Sequence, residues 1–343
     1  MKPKISKTTQ NSSSTLALQR FNLLDRKKVL MLIGVLVLLI LLPFIVTAYY
    51  KHLFILVGLA IILACSLDLV VGYIGHITFA HAAFYGIGAY TSAIVTTRLG
   101  LEFIPSLLLS GLIAAAIGFT LGMIVLRLTG PYFAIVTIGF QEIVIIIFRQ
   151  WVSLTRGPMG IVGVPKPKIL FYQITSLEGY YFLLLGLMAL IGILLYRTVT
   201  SRIGVIMLSV KDDETAARAI GINTTSVKVF AFTMSTFIAG MAGSFYAFYI
   251  GSVDPYAFQI LRSSTILVTA LAGGIGTMIG PVIGATILTL LPELMRGYVG
   301  AGAIMIIYGV ILILVIFFIP KGIIGIYYNF LERKKRPQPK KMK

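Results

Sequence analysis

Apolar stretches of about 20 residues recur along most of the chain, and they restrict its possible folds more than any other feature. The 343 residues are 58% hydrophobic and 12% charged, whereas a soluble domain has roughly 25% charged residues. A helix of about 20 apolar residues crosses the hydrocarbon core of a bilayer. The sequence therefore predicts an all-α polytopic membrane protein with about ten transmembrane helices. The expected spans are 29–50, 53–75, 79–97, 104–127, 131–150, 180–196, 228–250, 261–279, 281–296 and 302–319.

Basic residues are concentrated beside these spans and give the chain a net charge of +18. Of the 29 Lys and Arg residues, seven lie in 1–30, five in 197–228 and eight in 321–343. Ten spans place these three segments on the same side of the membrane, and basic loops mark the cytoplasmic side. We therefore expect both termini and the 197–228 loop to be cytoplasmic. The basic charge is explained by topology, and nucleic-acid binding is disfavoured.

Three regions follow from this arrangement. Residues 1–28 are expected to form a flexible basic cytoplasmic N-terminus, and 29–320 the transmembrane domain. Residues 321–343 are expected to form a basic cytoplasmic tail that attracts anionic lipid. The segment 151–179 is rich in Gly and Pro (GPMGIVGVPKP) and is expected to be an extracytoplasmic loop.

Glycine forms three clusters, GYIGH at 72–76, GIGAY at 86–90 and AGGIGTMIGPVIGA at 272–285, and the first and third lie at joints between spans. Small residues allow membrane helices to approach closely, which is the favoured interpretation. Glycine-broken helices also line substrate paths near the bilayer midplane, and both roles are compatible. Gly72, Gly273 and Gly274 are therefore possible path residues.

Asp68 and Glu142 are carboxylates that lie inside predicted spans. A carboxylate is costly in hydrocarbon, so each is expected to face protein or water. The favoured interpretation is that a neighbouring polar group holds each one and stabilises helix packing, and the alternative is a proton or cation relay. We add His81 to the possible path residues. The three His and single Cys65 have no metal-ligand spacing, and no nucleotide-binding motif is present, so energy for transport would come from an ion gradient or a partner.

A charged segment at 211–228, KDDETAARAIGINTTSVK, separates two apolar spans. The run from Lys211 to Ile220 contains no Gly or Pro, its acids favour the first turn of a helix, and Gly221 stands where a helix ends. Such a helix suits a groove on another protein, whereas a helix lying on lipid needs a larger apolar face. The first-turn acids are Asp212, Asp213 and Glu214, and the small face consists of Ala216, Ala217 and Ala219.

The spacing Glu214-x-Ala216-Ala217-x-x-x-Gly221 resembles the loop through which membrane subunits of ABC importers contact their ATPases. The surrounding sequence, RIGVIMLSVKDDETAARAIGINTTSVKVFAFTMSTFIAGMAGSFYAFYIG, resembles the LivM-type permease subunit of branched-chain amino acid ABC importers. Four further stretches share this resemblance and follow in the family's order. They are LDLVVGYIGHITFAHAAFYGIGAYTSAI, TGPYFAIVTIGFQEIV, LVTALAGGIGTMIGPVIGATILTLLPELMR and FFIPKGIIGI.

The resemblance implies an ATP-driven permease subunit rather than an enzyme. It implies a second homologous permease subunit, two cytoplasmic ATP-binding subunits that use the ATP, and an extracytoplasmic substrate-binding protein, with no cofactor bound by this chain. Glu214, Ala216, Ala217 and Gly221 match the ATPase-contact motif, and Asp68 stands where the family's usual residue is a neutral Asn. The implied location is the cytoplasmic membrane of a bacterium or archaeon.

The implied substrates are leucine, isoleucine and valine, although relatives carry urea, short amides or other amino acids. An ion-coupled secondary transporter that uses Asp68 and Glu142 is the alternative from another class. A membrane-embedded enzyme would need a convergent polar site, and the sequence offers none.

Overall fold

A computed structural model describes residues 38–128, 130–169 and 172–295, together with positions 34, 309 and 310. The chain divides into two compact units, Met1–Lys51 and His52–Lys343, and almost all described residues belong to the second. The predicted regions 1–28 and 321–343 lie outside the described residues, as does nearly all of the expected last span, 302–319.

The described part of the chain is mostly helical, as expected for an all-α membrane protein. Its helices are α1 (Ala48–Val71), α2 (His81–Leu99), α3 (Phe103–Val125), α4 (Pro131–Gln150), α5 (Val152–Thr155), α6 (Leu177–Thr200), α7 (Arg202–Asp212), α8 (Glu214–Ala219), α9 (Thr224–Ile250), α10 (Ile260–Gly273) and α11 (Gly280–Met295). Five of them, α1, α3, α4, α6 and α9, are long and apolar enough to cross a membrane.

Helix bounds agree with the expected spans to within about five residues, and the differences have local causes. Helix α6 begins at Leu177 rather than 180 because the Ser176 hydroxyl accepts a hydrogen bond from the Gly179 N–H at 3.1 Å. Helix α9 begins at Thr224, four residues before the predicted 228, because the Asn223 side chain accepts a hydrogen bond from Ser226 N–H and caps the helix. The expected first span, 29–50, is interrupted in its described part: residues 38–45 are helical, and a new helix begins at Ala48.

The core is built around two helices, α2 and α9, which pack along each other, and α9 also packs along α3. Helix α2 contains several Gly and polar residues and is less apolar than the five apolar helices, but most of it is buried. Glycine makes its close approach to α9 possible: a Cβ on Gly88 would overlap the Gly240 carbonyl oxygen, and one on Gly243 would overlap the Tyr85 carbonyl oxygen. This is the packing role favoured for membrane glycines.

The Gly/Pro-rich segment 151–179 is a turn-rich loop, as predicted, and it contains short strands. Two-residue strands β1 (Ile161–Val162) and β4 (Ser252–Val253) pair antiparallel, as do β2 (Lys168–Ile169) and β3 (Tyr172–Gln173). The β1–β4 pair ties this loop to the end of α9.

Helices α10 and α11 form a hairpin around a glycine turn. Gly274 has φ +116 and Gly276 has φ +73, conformations that favour glycine. The 14 residues of α10 extend about 21 Å, less than the roughly 30 Å of the hydrocarbon core. Helix α10 alone is therefore too short to cross, which fits the broken-helix interpretation of this joint rather than a full span over 261–279.

Candidate functional site

The charged segment between α6 and α9 folds as two helices, α7 and α8, rather than the single helix predicted from Lys211 to Ile220. The break is at Asp213, which has extended backbone (φ −154, ψ 103). Its carboxylate accepts hydrogen bonds from the N–H groups of Thr215 at 2.9 Å and Ala216 at 3.0 Å and so caps α8. The expected stop is present, because Gly221 follows α8 with φ +88.

Glu214 lies at the centre of a polar network between α8 and the first turns of α9. Its carboxylate accepts hydrogen bonds from Arg218 Nη2 at 2.6 Å, Thr224 Oγ1 at 3.0 Å and Lys228 Nζ at 2.6 Å. Lys228 is only 2% exposed, whereas Glu214 is 23% exposed and Arg218 61% exposed. Glu214 therefore fixes α8 to α9 from within the chain.

This network keeps Glu214 ionised. Burial by itself raises the pKa of Glu214, but the hydrogen bonds from Lys228, Thr224 and Arg218 outweigh it and hold the pKa below its usual value. A buried cation without a counter-charge is costly, so the carboxylate stabilises Lys228 as much as it positions α8. Local spacing does not indicate this pair, because its members are 14 residues apart and belong to different helices.

The exposed surface of α8 differs from the predicted alanine face. Ala217 is buried, at 3% exposure, whereas Ala216 and Ala219 are exposed. Ile220, which the pattern did not single out, is 77% exposed. Together with Gly221, these exposed positions form the α8 surface that is available to another protein.

A second contact joins the end of α7 to the irregular segment after α1. Lys211 Nζ donates a hydrogen bond to the Gly72 carbonyl oxygen at 2.6 Å. On the neighbouring turn of α1, Asp68 Oδ1 accepts from the Gly276 N–H at 2.8 Å. A Cβ on Gly72 would overlap both Asp68 and Gly276, so glycine is required for this approach. We call Asp68, Gly72, Lys211 and Gly276 the junction.

The junction brings the two glycine-rich joints together. It connects the joint after α1 with the turn between α10 and α11, although Asp68 and Gly276 are 208 positions apart. Beside it, α1, α6 and α11 enclose an apolar cavity of about 190 Å³ whose lining includes Asp68, Tyr73, Met188 and Met278. Asp68 thus accepts a hydrogen bond from the glycine turn and also lines this cavity.

The remaining predicted path residues lie in different places. Gly274 belongs to the turn that holds Gly276, and Gly273 is buried tightly against the Gly280 carbonyl. His81 is 2% exposed, and its Nε2 lies 2.8 Å from Ser66 Oγ, so it joins α2 to α1.

Glu142 lies apart from these residues, on an exposed face of α4. Within the described ranges it makes no hydrogen bond or ion pair, so the neighbouring polar group expected for it is not found there.

Comparison with known proteins identifies a family that matches this sequence. Residues 49–319 match the family described as "Branched-chain amino acid transport system / permease component". The high-affinity branched-chain amino acid transport system permease protein LivM of Escherichia coli is 34% identical over 321 residues, covering 87% of this chain and 75% of LivM. LivH of Salmonella typhimurium, from the same kind of system, is 26% identical over 280 residues, covering 77% of this chain and 90% of LivH.

A relative with a different named cargo also matches. The autoinducer 2 import system permease protein LsrC of Yersinia enterocolitica is 29% identical over 195 residues, covering 54% of this chain and 51% of LsrC. No solved structure matches the chain significantly.

Proposed function

Because the chain belongs to the family of permease components of branched-chain amino acid transport systems, we propose that it is the membrane permease subunit of an ATP-driven importer of leucine, isoleucine and valine. The observation that carries this proposal is the family match over 49–319 together with 34% identity to LivM. The substrate is the least specific part, since LsrC is a permease for a different cargo.

The proposed topology has about ten spans in the cytoplasmic membrane, with both termini and the α7–α8 segment on the cytoplasmic side. The concentration of basic residues in 1–30, 197–228 and 321–343 supports it. In this topology, the basic tails are attracted to anionic lipid at the membrane surface.

The proposed partners follow from the same membership. A second, homologous permease subunit completes the membrane part, and the similarity of this chain to both LivM and LivH supports such a pair. Two cytoplasmic ATP-binding subunits hydrolyse the ATP, and an extracytoplasmic binding protein delivers the substrate. This chain binds no cofactor and catalyses no reaction itself.

The ATP-binding subunits are proposed to contact the exposed surface of α8, at Ala216, Ala219, Ile220 and Gly221. Glu214 acts indirectly in this scheme, because its carboxylate is occupied by Lys228, Thr224 and Arg218. Ala217 holds α8 against the chain.

Movement of α8 then reaches the membrane helices by two routes. The Glu214–Lys228 pair transmits it to α9, which packs against α2 and α3. The Lys211–Gly72 hydrogen bond transmits it to the junction, and so to α1 and the α10–α11 turn. Coupling requires that ATP-bound and ATP-free partners fit α8 differently.

Affinity purification of the chain from its native membrane in mild detergent tests the proposal. We expect ATP-binding subunits and a second permease to copurify, and the reconstituted assembly to import leucine only with ATP. Recovery of the chain alone, with leucine uptake that collapses on adding an uncoupler, would instead establish an ion-coupled secondary transporter.

A further inference from the structure

One face of α4 carries a carboxylate in the middle of an otherwise apolar membrane span. Glu142 is exposed and lies 11 residues after Pro131, about 16 Å along a helix of about 30 Å. Residues at helical spacing on the same face are also open: Ile135 is 63% exposed, Ile146 is 48% exposed, and a Cβ on Gly139 would meet no atom within 4 Å. We call Ile135, Gly139, Glu142 and Ile146 the α4 stripe.

The rotation of α4 is fixed by the residue next to Glu142. The Gln141 side chain is fully buried and points about 100° away from Glu142 around the helix. Its Oε1 accepts from Ala83 N–H at 2.8 Å and from Ser263 Oγ at 3.1 Å, and its Nε2 donates to the Phe258 carbonyl at 2.6 Å. Three hydrogen bonds to three different segments prevent α4 from turning Glu142 into the protein.

Lipid is a poor environment for this stripe, because an ionised carboxylate at mid-membrane depth is costly unless it meets water or a cation. The exposed faces of other spans differ in this respect. Leu112 on α3 and Ile193 on α6 are 59% and 58% exposed and belong to apolar surfaces. Asp68, the other acid in the interior of the five described spans, is buried and bonded to Gly276.

We infer that the α4 stripe faces a water-filled substrate path, closed on its other side by the second permease subunit, and that Glu142 meets the ammonium group of the amino-acid substrate. This inference rests on the proposed function, since it takes an amino acid as the cargo. The chemistry is complementary: a carboxylate on an apolar wall accepts a charged hydrogen bond from an ammonium, while Ile135 and Ile146 contact an aliphatic side chain.

Water accessibility tests the path directly. Cys65 is the single cysteine of the chain, so one substitution, Cys65→Ala, gives a cysteine-free background. In the assembled transporter in vesicles, Ile135→Cys and Ile146→Cys are expected to react with a membrane-impermeant maleimide, and leucine with its binding protein and ATP is expected to change that rate. Leu112→Cys and Ile193→Cys, of similar exposure, are the matched lipid-facing controls and are expected to stay unlabelled.

A leucine uptake assay tests whether the charge of Glu142 is needed for transport. Glu142→Gln is expected to lower leucine uptake at saturating loaded binding protein at least about tenfold, the effect of losing one charged hydrogen bond. Copurification of the partner subunits should be unchanged, and Glu142→Asp should restore part of the uptake. If the carboxylate had only a structural role, Glu142→Gln would instead reduce the copurification of the partner subunits.

Stripe cysteines that label no faster than the controls, or normal uptake by Glu142→Gln, would overturn the inference while wild-type uptake still supports the proposed function. Absence of ATP-dependent leucine uptake by the wild-type assembly would instead count against the proposed function, and the labelling pattern would still decide whether the stripe faces water.

Discussion

Glu214 and Lys228 are expected to contribute unequally to stability, although they form one ion pair. Glu214→Gln leaves Lys228, which is 2% exposed, without a counter-charge. Breaking a buried pair in this way costs about 3 kcal/mol or more. Lys228→Met leaves Glu214, which is 23% exposed and keeps its hydrogen bonds from Arg218 and Thr224, so a smaller loss of about 1–2 kcal/mol is expected.

A third variant provides the matched control on the same carboxylate. Arg218 is 61% exposed, and its ion pair with Glu214 is of the i,i+4 type, so Arg218→Met should cost less than about 1 kcal/mol. The expected order of destabilisation is therefore Glu214→Gln, then Lys228→Met, then Arg218→Met.

Thermal unfolding of the detergent-purified protein measures this order. The double variant Glu214→Gln with Lys228→Met should be more stable than Glu214→Gln alone, because it removes the unpaired buried cation. If Lys228→Met destabilises as much as Glu214→Gln, or if the double variant is the least stable of all, the argument from unequal burial is wrong.

Three further outcomes follow from the same contacts. Gly88→Ala should destabilise the protein by about 1–3 kcal/mol, because the new methyl group overlaps the Gly240 carbonyl, whereas Gly186→Ala, with no atom within 4 Å, should be neutral in the same melting experiment. Gly221→Ala should lower the free energy of unfolding by about 1 kcal/mol, because residue 221 has a left-handed backbone, and Gly221→Asn should lower it less. Melting experiments measure this loss, and the ATP consumed per leucine imported measures its effect on coupling. The pKa of Glu214 in the folded protein lies below the unfolded value of 4.5, so its contribution to stability should be complete above pH 4.5 and be lost as pH falls through the folded pKa. Melting temperatures of Glu214→Gln measured across the same pH range should lack this loss.

Hydropathy predicts the five described membrane spans because lipid imposes length and apolarity on each span. Helix α4 begins and ends where the sequence placed it, at Pro131 and Gln150. The less apolar α2 was also predicted, although its burial against α9 could be anticipated only in part from the glycines around Gly88.

Details that depend on individual polar side chains were predicted less well. The sequence pattern predicts Asp213 as one of three acids in a first turn, but its carboxylate caps α8, and the segment divides into two helices at this residue. Glu214 was predicted to contact a partner, a role that stays a prediction, and its observed contacts are internal. One signal was available: Lys228 lies at the start of an apolar span, where a cation that is not exposed needs an acid nearby.

The junction could not be predicted from sequence because it depends on tertiary proximity. Nothing in the local pattern around Asp68 indicates that Gly276 donates to it. The glycines at both joints do indicate a close approach to another backbone segment, but they do not indicate which segment that is.

The two attachments of the charged segment are expected to have different physical roles. Glu214 and Lys228 form an ion pair with several supporting hydrogen bonds, and this pair resists movement between α8 and α9. Lys211 holds the segment to the junction by one hydrogen bond to the Gly72 carbonyl, at the end of α1, where the backbone is irregular. A single part-buried hydrogen bond to an irregular segment contributes little stability but can transmit displacement. Lys211→Met should therefore reduce ATP-driven uptake while shifting the melting temperature far less than Glu214→Gln does. A melting temperature lowered to the same extent by both variants would show that Lys211 is a structural anchor rather than a transmitting contact.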